Sequence, residues 1–198
     1  MHENGCAKGK RRKGAKGKII TMGFLDFLFG KKEEPTIENK FFGTMTRGKT
    51  AGHPDTFYCF RRFAPINDEI EIRFEDDKSG ETHRQEAFVR KLEHRYWQMC
   101  ETFAPHIERE MQKEIEHFPE MKDFKITDFH REFKLSDVVL PNFKTTPLEW
   151  IIWFEYNGIS SRSGIEGDCK LELSDDTITK IGISLYESEE WDEHLHFR

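Results

Sequence analysis

The chain has 198 residues, with 31 Lys and Arg against 37 Asp and Glu, a formal net charge of −6. Only 36% of residues are hydrophobic and mean hydropathy is −0.76, yet 13% are aromatic, 18 of them Phe. No apolar run approaches the ~20 residues of a spanning helix, which excludes a helical membrane protein, and the aromatic content argues against a wholly disordered chain. The length fits one domain able to bury a substantial core.

Residues 1–21 carry seven basic side chains and one acid, Glu3, leaving 24 basic and 36 acidic side chains, a net −12, on residues 22–198. A basic arm of this kind suits nucleic acid or anionic lipid. Its Lys-, Arg- and Gly-rich composition is also what purine-rich codons encode upstream of a bacterial start, so Met22 is the expected initiator. Residues 1–21 are otherwise expected to form a disordered tail.

Residues 22–35 read as a short apolar turn and linker, MGFLDFLFGKKEEP, with Phe24, Phe27 and Phe29 as a possible membrane or partner contact. The segment is too short for a signal-peptide core and lacks the Ser or Thr of a myristoylation site. This opening resembles the MGxxDxLFGKK-type start of bacterial cytoplasmic proteins of no single activity. The resemblance implies a cytoplasmic location and nothing about chemistry.

Residues 36–198 read as a single α+β domain. Phe41–Thr46 is a short strand, and Thr56–Phe63 is aromatic on both faces. Glu69–Glu75 alternates, with Ile70, Ile72 and Phe74 inward and Glu69, Glu71, Arg73 and Glu75 outward, as in a half-buried antiparallel strand. Phe88, Leu92, Tyr96, Met99, Phe103, Ile107, Met111, Ile115 and Phe118 then form one helical stripe, predicting a helix from about Thr82 to His117. Pro105 inside it removes one hydrogen bond and predicts a kink or brief break.

After Pro119 a strand is expected over Phe124–Leu135, with a β-bulge near Thr127–Asp128 where the apolar phase changes. Leu148–Tyr156 is apolar on both faces, marking a central strand. Cys169–Leu173 and Ile181–Leu185, joined by Asp175-Asp176, predict a closing hairpin. The expected architecture is an antiparallel sheet of six to seven strands with one long kinked helix packed on one face.

Chemistry-bearing patterns are sparse. Cys6, Cys59, Cys100 and Cys169 form no CxxC pair and read as thiols in a reducing compartment. Two ExxH pairs, Glu114 with His117 and Glu193 with His196, lack the four-helix setting of a carboxylate-bridged metal site. No GxSxG elbow or phosphate-binding glycine loop is present. No metal and no cofactor is therefore expected. Arg61, Arg62, Arg84, Arg90, Lys91 and Arg95 are small basic spots among acids, so the folded part is not expected to bind nucleic acid.

The acidity itself is the distinguishing feature. Glu108, Glu110, Glu114 and Glu116, then Glu187, Glu189, Glu190 and Asp192, are the candidate contacts for a basic protein partner. In charge and expected layout, residues 36–198 resemble immunity proteins that neutralise basic toxin domains. That likeness implies a non-catalytic inhibitor in the cytoplasm. Two alternatives remain: an enzyme with a cleft near His53, His130 and Arg162, and a peripheral membrane adaptor held by its phenylalanines.

Overall fold

A computed structural model describes residues 36–48, 56–74, 82–118, 121–157 and 164–187. These form eight strands and two helices: β1 (Thr36–Asn39), β2 (Gly43–Gly48), β3 (Thr56–Phe63), β4 (Asp68–Phe74), α1 (Thr82–Glu114), α2 (Phe129–Glu132), β5 (Phe133–Leu140), β6 (Glu149–Tyr156), β7 (Ile165–Ser174) and β8 (Thr177–Glu187). The strands lie in one sheet in sequence order, every neighbouring pair antiparallel except β4 and β5, which run parallel. Two four-stranded meanders are thus joined through α1, the crossover that a parallel pair requires. The α+β class and the single long helix are as the sequence predicts, but the sheet has eight strands and is mixed.

The extra strand is β1. Its sequence, TIEN, is short and polar, and it is held by its turn rather than by burial. Asn39 Oδ1 accepts hydrogen bonds from the backbone N–H groups of Phe41 and Phe42, at 2.7 and 3.0 Å. Gly43 then takes φ +73°, a conformation glycine reaches at no steric penalty. The turn drives Phe42 into the core, edge-to-face with Phe74 at 4.9 Å.

The core lies between α1 and one face of the sheet. Phe63 meets Tyr96 edge-to-face at 5.2 Å, and Trp150 meets Phe88 at 5.3 Å. The buried edge of α1 is centred on Val89, Leu92, Tyr96, Cys100, Phe103, Ile107 and Met111, with Phe88 and Met99 on its flank. The helix runs through Pro105 without a break. Phe103 and Ile107 are buried on either side of the proline, and their packing offsets the missing backbone hydrogen bond.

Arg61, read from sequence as part of a basic surface spot, faces the helix instead, because its register partner is the core residue Ile70. Its guanidinium donates to Glu93 Oε1 at 2.6 Å and lies 4.0 Å above the Phe41 ring. Arg95 similarly ties the helix to the β7–β8 turn through Asp176, at 2.8 Å.

The segment before β5 differs most from expectation. Residues 124–132 are not a strand. Glu132, 1% exposed, accepts three hydrogen bonds on Oε1, from Thr127 N, Thr127 Oγ1 and Asp128 N. Asp128 caps the short α2 by accepting from His130 N. The apolar phase change at Thr127–Asp128 is therefore a capped helical turn, and the bulge sits further on, between Leu135 and Asp137.

Candidate functional site

The face of the sheet opposite α1 carries no helix among the described residues. Alternation along the strands puts Phe60 of β3, Glu69, Glu71 and Arg73 of β4, Trp153 and Glu155 of β6 and Asp168 of β7 on that face. They line a groove of about 550 Å³ across the central strands, together with Lys134, Ser136 and Asp137 of β5. Among the described residues its lining holds five carboxylates against two cations. Phe60 is 57% exposed at one side.

The bulge in β5 decides what the groove contains. Phe133 and Leu135 face the core, and strict alternation would send residue 137 inward with them. Ser136 is the extra residue, so that Asp137 pairs with Trp153 on the outer face while Val138 and Leu140 return to the core. The bulge thus re-aims one carboxylate into the groove.

Asp137 is only 9% exposed, and its Oδ1 has no hydrogen-bond partner among the described residues. Arg73 Nη2 stops 3.8 Å from it, because the Arg73 Nε is committed to Glu71 Oε1 at 2.8 Å. Ser136 Oγ offers Oδ2 a long contact of 3.3 Å. Burial pushes the Asp137 carboxyl above the ordinary aspartate range; Arg73 and Ser136 oppose this, whereas Glu71 and Glu155 add to it.

The remaining acids are unevenly compensated: Glu71 pairs with Arg73 at 2.8 Å, and Glu69 stands opposite Arg62 across the β3–β4 ladder. Glu155 pairs directly with Asp168 across the β6–β7 ladder, like charge opposite like charge. Lys134, the register partner of Glu155 on β5, has its ammonium 3.1 Å from Asp68. On β8, the half-exposed Tyr186 hydroxyl is shifted up by desolvation and by the charges of Asp168, Glu166 and Glu155, so the acidic field reaches the sheet edge. Lys170 sits 5.6 Å above the Trp153 ring and pairs with Glu172 at 2.7 Å.

The acids singled out in the sequence are placed elsewhere. Glu108, Glu110 and Glu114 are on α1, across the sheet from the groove. Glu108 Oε2 accepts from Ile126 N at 2.9 Å, Glu110 pairs with Lys113 at 2.6 Å, and Glu114 is exposed at the helix end. Glu116 belongs to the 3-10 turn Ile115–His117 that follows, and its side chain is outside the described set. Glu187 is exposed at the end of β8, whereas Glu189, Glu190 and Asp192 lie outside the described residues, as do Phe24, Phe27 and Phe29.

Of the suggested cleft, His53 and Arg162 also lie outside the described residues. His130 is exposed on α2, 4.0 Å from the Trp97 ring. Among the described residues no three His, Cys, Asp or Glu side chains are grouped to hold a metal ion, and no helix is long and apolar enough to cross a membrane. Burial pushes the Cys59 and Cys100 thiols up to about 12 and raises Cys169 as well.

Alternation did place Glu69, Glu71 and Arg73 outward. What it missed is Asp137, hidden by the bulge, and the joining of β4 to β5 by a parallel pairing. No protein family, no curated protein and no solved structure matches this chain.

Proposed function

We propose that this protein is a non-catalytic binding module that takes a basic protein partner on the open, acidic face of its sheet. The observation that carries the reading is the groove, where five carboxylates face two cations around an exposed Phe60 and the Trp153 ring. Like charges opposed across a ladder and a desolvated aspartate disfavour the free protein, and a cationic surface relieves both. An acidic face also steers a basic partner toward encounter, and exposed aromatic surface supplies the apolar part of a contact.

The narrower form of the proposal is an immunity-type inhibitor in the bacterial cytoplasm, which neutralises a basic toxin domain by covering its working surface. Three buried free thiols are compatible with a reducing compartment.

The test compares two charge-reversed proteins of equal net charge. In one, Glu69 and Glu155 in the groove become Lys; in the other, Glu110 and Glu114 on α1 do. Binding to a cationic Arg/Lys polypeptide is measured by titration calorimetry at low and high salt. Loss of salt-sensitive binding in the groove variant, with retention in the helix variant, supports the reading. Equal loss in both, or loss confined to the helix variant, contradicts it, because net charge or the helix acids would then carry binding.

A further inference from the structure

Arg73 and Asp137 are mismatched in a way that ordinary surface pairs are not. Among the described residues, the aspartate is nine-tenths buried, one of its oxygens has no hydrogen bond, and the Arg73 guanidinium stands 3.8 Å away with its Nε bound to Glu71. A buried acceptor left unmet is costly, and a buried charge without a close partner more so. The bulge at Ser136 is what aims this side chain at the groove. Arg73 is 46% exposed along its side chain, so it can swing aside without disturbing the core.

We infer that Asp137 is the anchor of the groove, the acceptor for an arginine side chain of the partner, and that Arg73 is a placeholder covering it in the free protein. The inference rests on the binding reading above and gives it a specific contact. A guanidinium is the fitting group, since the protein's own guanidinium occupies the place imperfectly, and planar N–H donors match a carboxylate better than a point charge does. The volume of about 550 Å³ exceeds one guanidinium, and the exposed Phe60 beside it gives the flanking residues of a polypeptide an apolar surface.

A double-mutant cycle tests this on the 198-residue chain, with the capped peptide Gly-Arg-Gly-Arg-Gly-Arg-Gly as probe. Asp137→Asn keeps the shape of the side chain and removes its charge. Arg73→Ala uncovers the anchor, and Lys134→Ala removes an equal charge from the same groove without touching it. The expected result is at least about ten-fold weaker binding for Asp137→Asn, the loss of one charge-assisted hydrogen bond. Arg73→Ala should tighten binding more than Lys134→Ala does. In an Asp137→Asn background the gain from Arg73→Ala should shrink to that of Lys134→Ala.

Equal gains from the two cation removals in both backgrounds would overturn the placeholder, leaving only a change in net charge. If Asp137→Asn binds as the parent does while the paired Glu69 and Glu155 reversal abolishes binding, the anchor fails and the acidic face survives. If the parent protein itself shows no salt-sensitive binding, both fall together. Thermal melting of each variant checks folding, and Asp137→Asn is expected to melt no lower than the parent.

Discussion

Asp137 Oδ1 and the Arg73 guanidinium stand 3.8 Å apart on adjacent strands of the same sheet face, close enough to attract and too far to hydrogen bond. A structural ion pair would have closed that gap. The relationship makes Asp137 a residue that weakens the free protein, and the stability of its neutral variant measures by how much.

Replacing Asp137 with Asn is expected to stabilise the protein at pH 7 by about 1 kcal/mol, because it removes a desolvated charge that Arg73 only partly offsets. The pH dependence follows from the sign of the shift. The folded carboxyl titrates above its ordinary value of 3.8, so the folded state holds the proton more tightly than the unfolded state. Its ionisation therefore lowers stability as pH rises through the raised value, and parent and variant should converge as pH falls towards the ordinary one. Urea unfolding at a series of pH values reads this. A variant less stable than the parent at pH 7 would make Asp137 a structural residue.

Gly167 and Gly182 occupy the same hairpin and should respond oppositely to alanine. A Cβ on Gly167 would lie 2.4 Å from Ser184 O and 2.8 Å from Leu185 Cδ2, so the β7–β8 ladder must shift to admit it. The nearest atom to a Cβ on Gly182 is Lys170 Cβ, at 4.0 Å. Gly167→Ala should destabilise by about 1–3 kcal/mol, as overpacking does, while Gly182→Ala should be neutral or slightly stabilising. Chemical denaturation of the two variants checks the contrast.

Cys59, Cys100 and Cys169 should resist a thiol reagent at pH 8 until the protein unfolds. Each is 1% exposed, and burial pushes Cys59 and Cys100 up to about 12, leaving almost no thiolate at that pH. Labelling followed by peptide mass analysis, without and with denaturant, resolves the three sites. Rapid labelling of any of them in the native protein would contradict the core described above.

The strands that alternate or run apolar over many residues were legible in the sequence: Thr56–Phe63 is β3 to the residue, and Ile70, Ile72 and Phe74 point inward as expected. The helical stripe was equally plain, since its Leu92, Tyr96, Phe103, Ile107 and Met111 are buried against one sheet. β1 was not legible, because its four residues are fixed by an asparagine turn and pairing to β2. Neither was the groove. Its central carboxylate reaches the outer face through one inserted residue, Ser136, and meets Glu71 through a pairing that spans α1. Period-two reasoning has no means of seeing an insertion that breaks the period, and charge runs along the chain drew attention to α1 instead of to acids gathered from four strands.

Three of the four tryptophans sit in different surroundings: Trp153 in the groove, Trp150 buried on the helix side of the sheet, and Trp97 on α1. Fluorine NMR of protein labelled with fluorotryptophan, titrated with the arginine peptide at low salt, distinguishes binding in the groove from binding on the helix. Groove binding is expected to give a progressive shift of the Trp153 resonance, reversed by salt, with Trp97 and Trp150 unmoved. A shift confined to Trp97, with Trp153 unchanged at saturation, would place binding on the helix and contradict it.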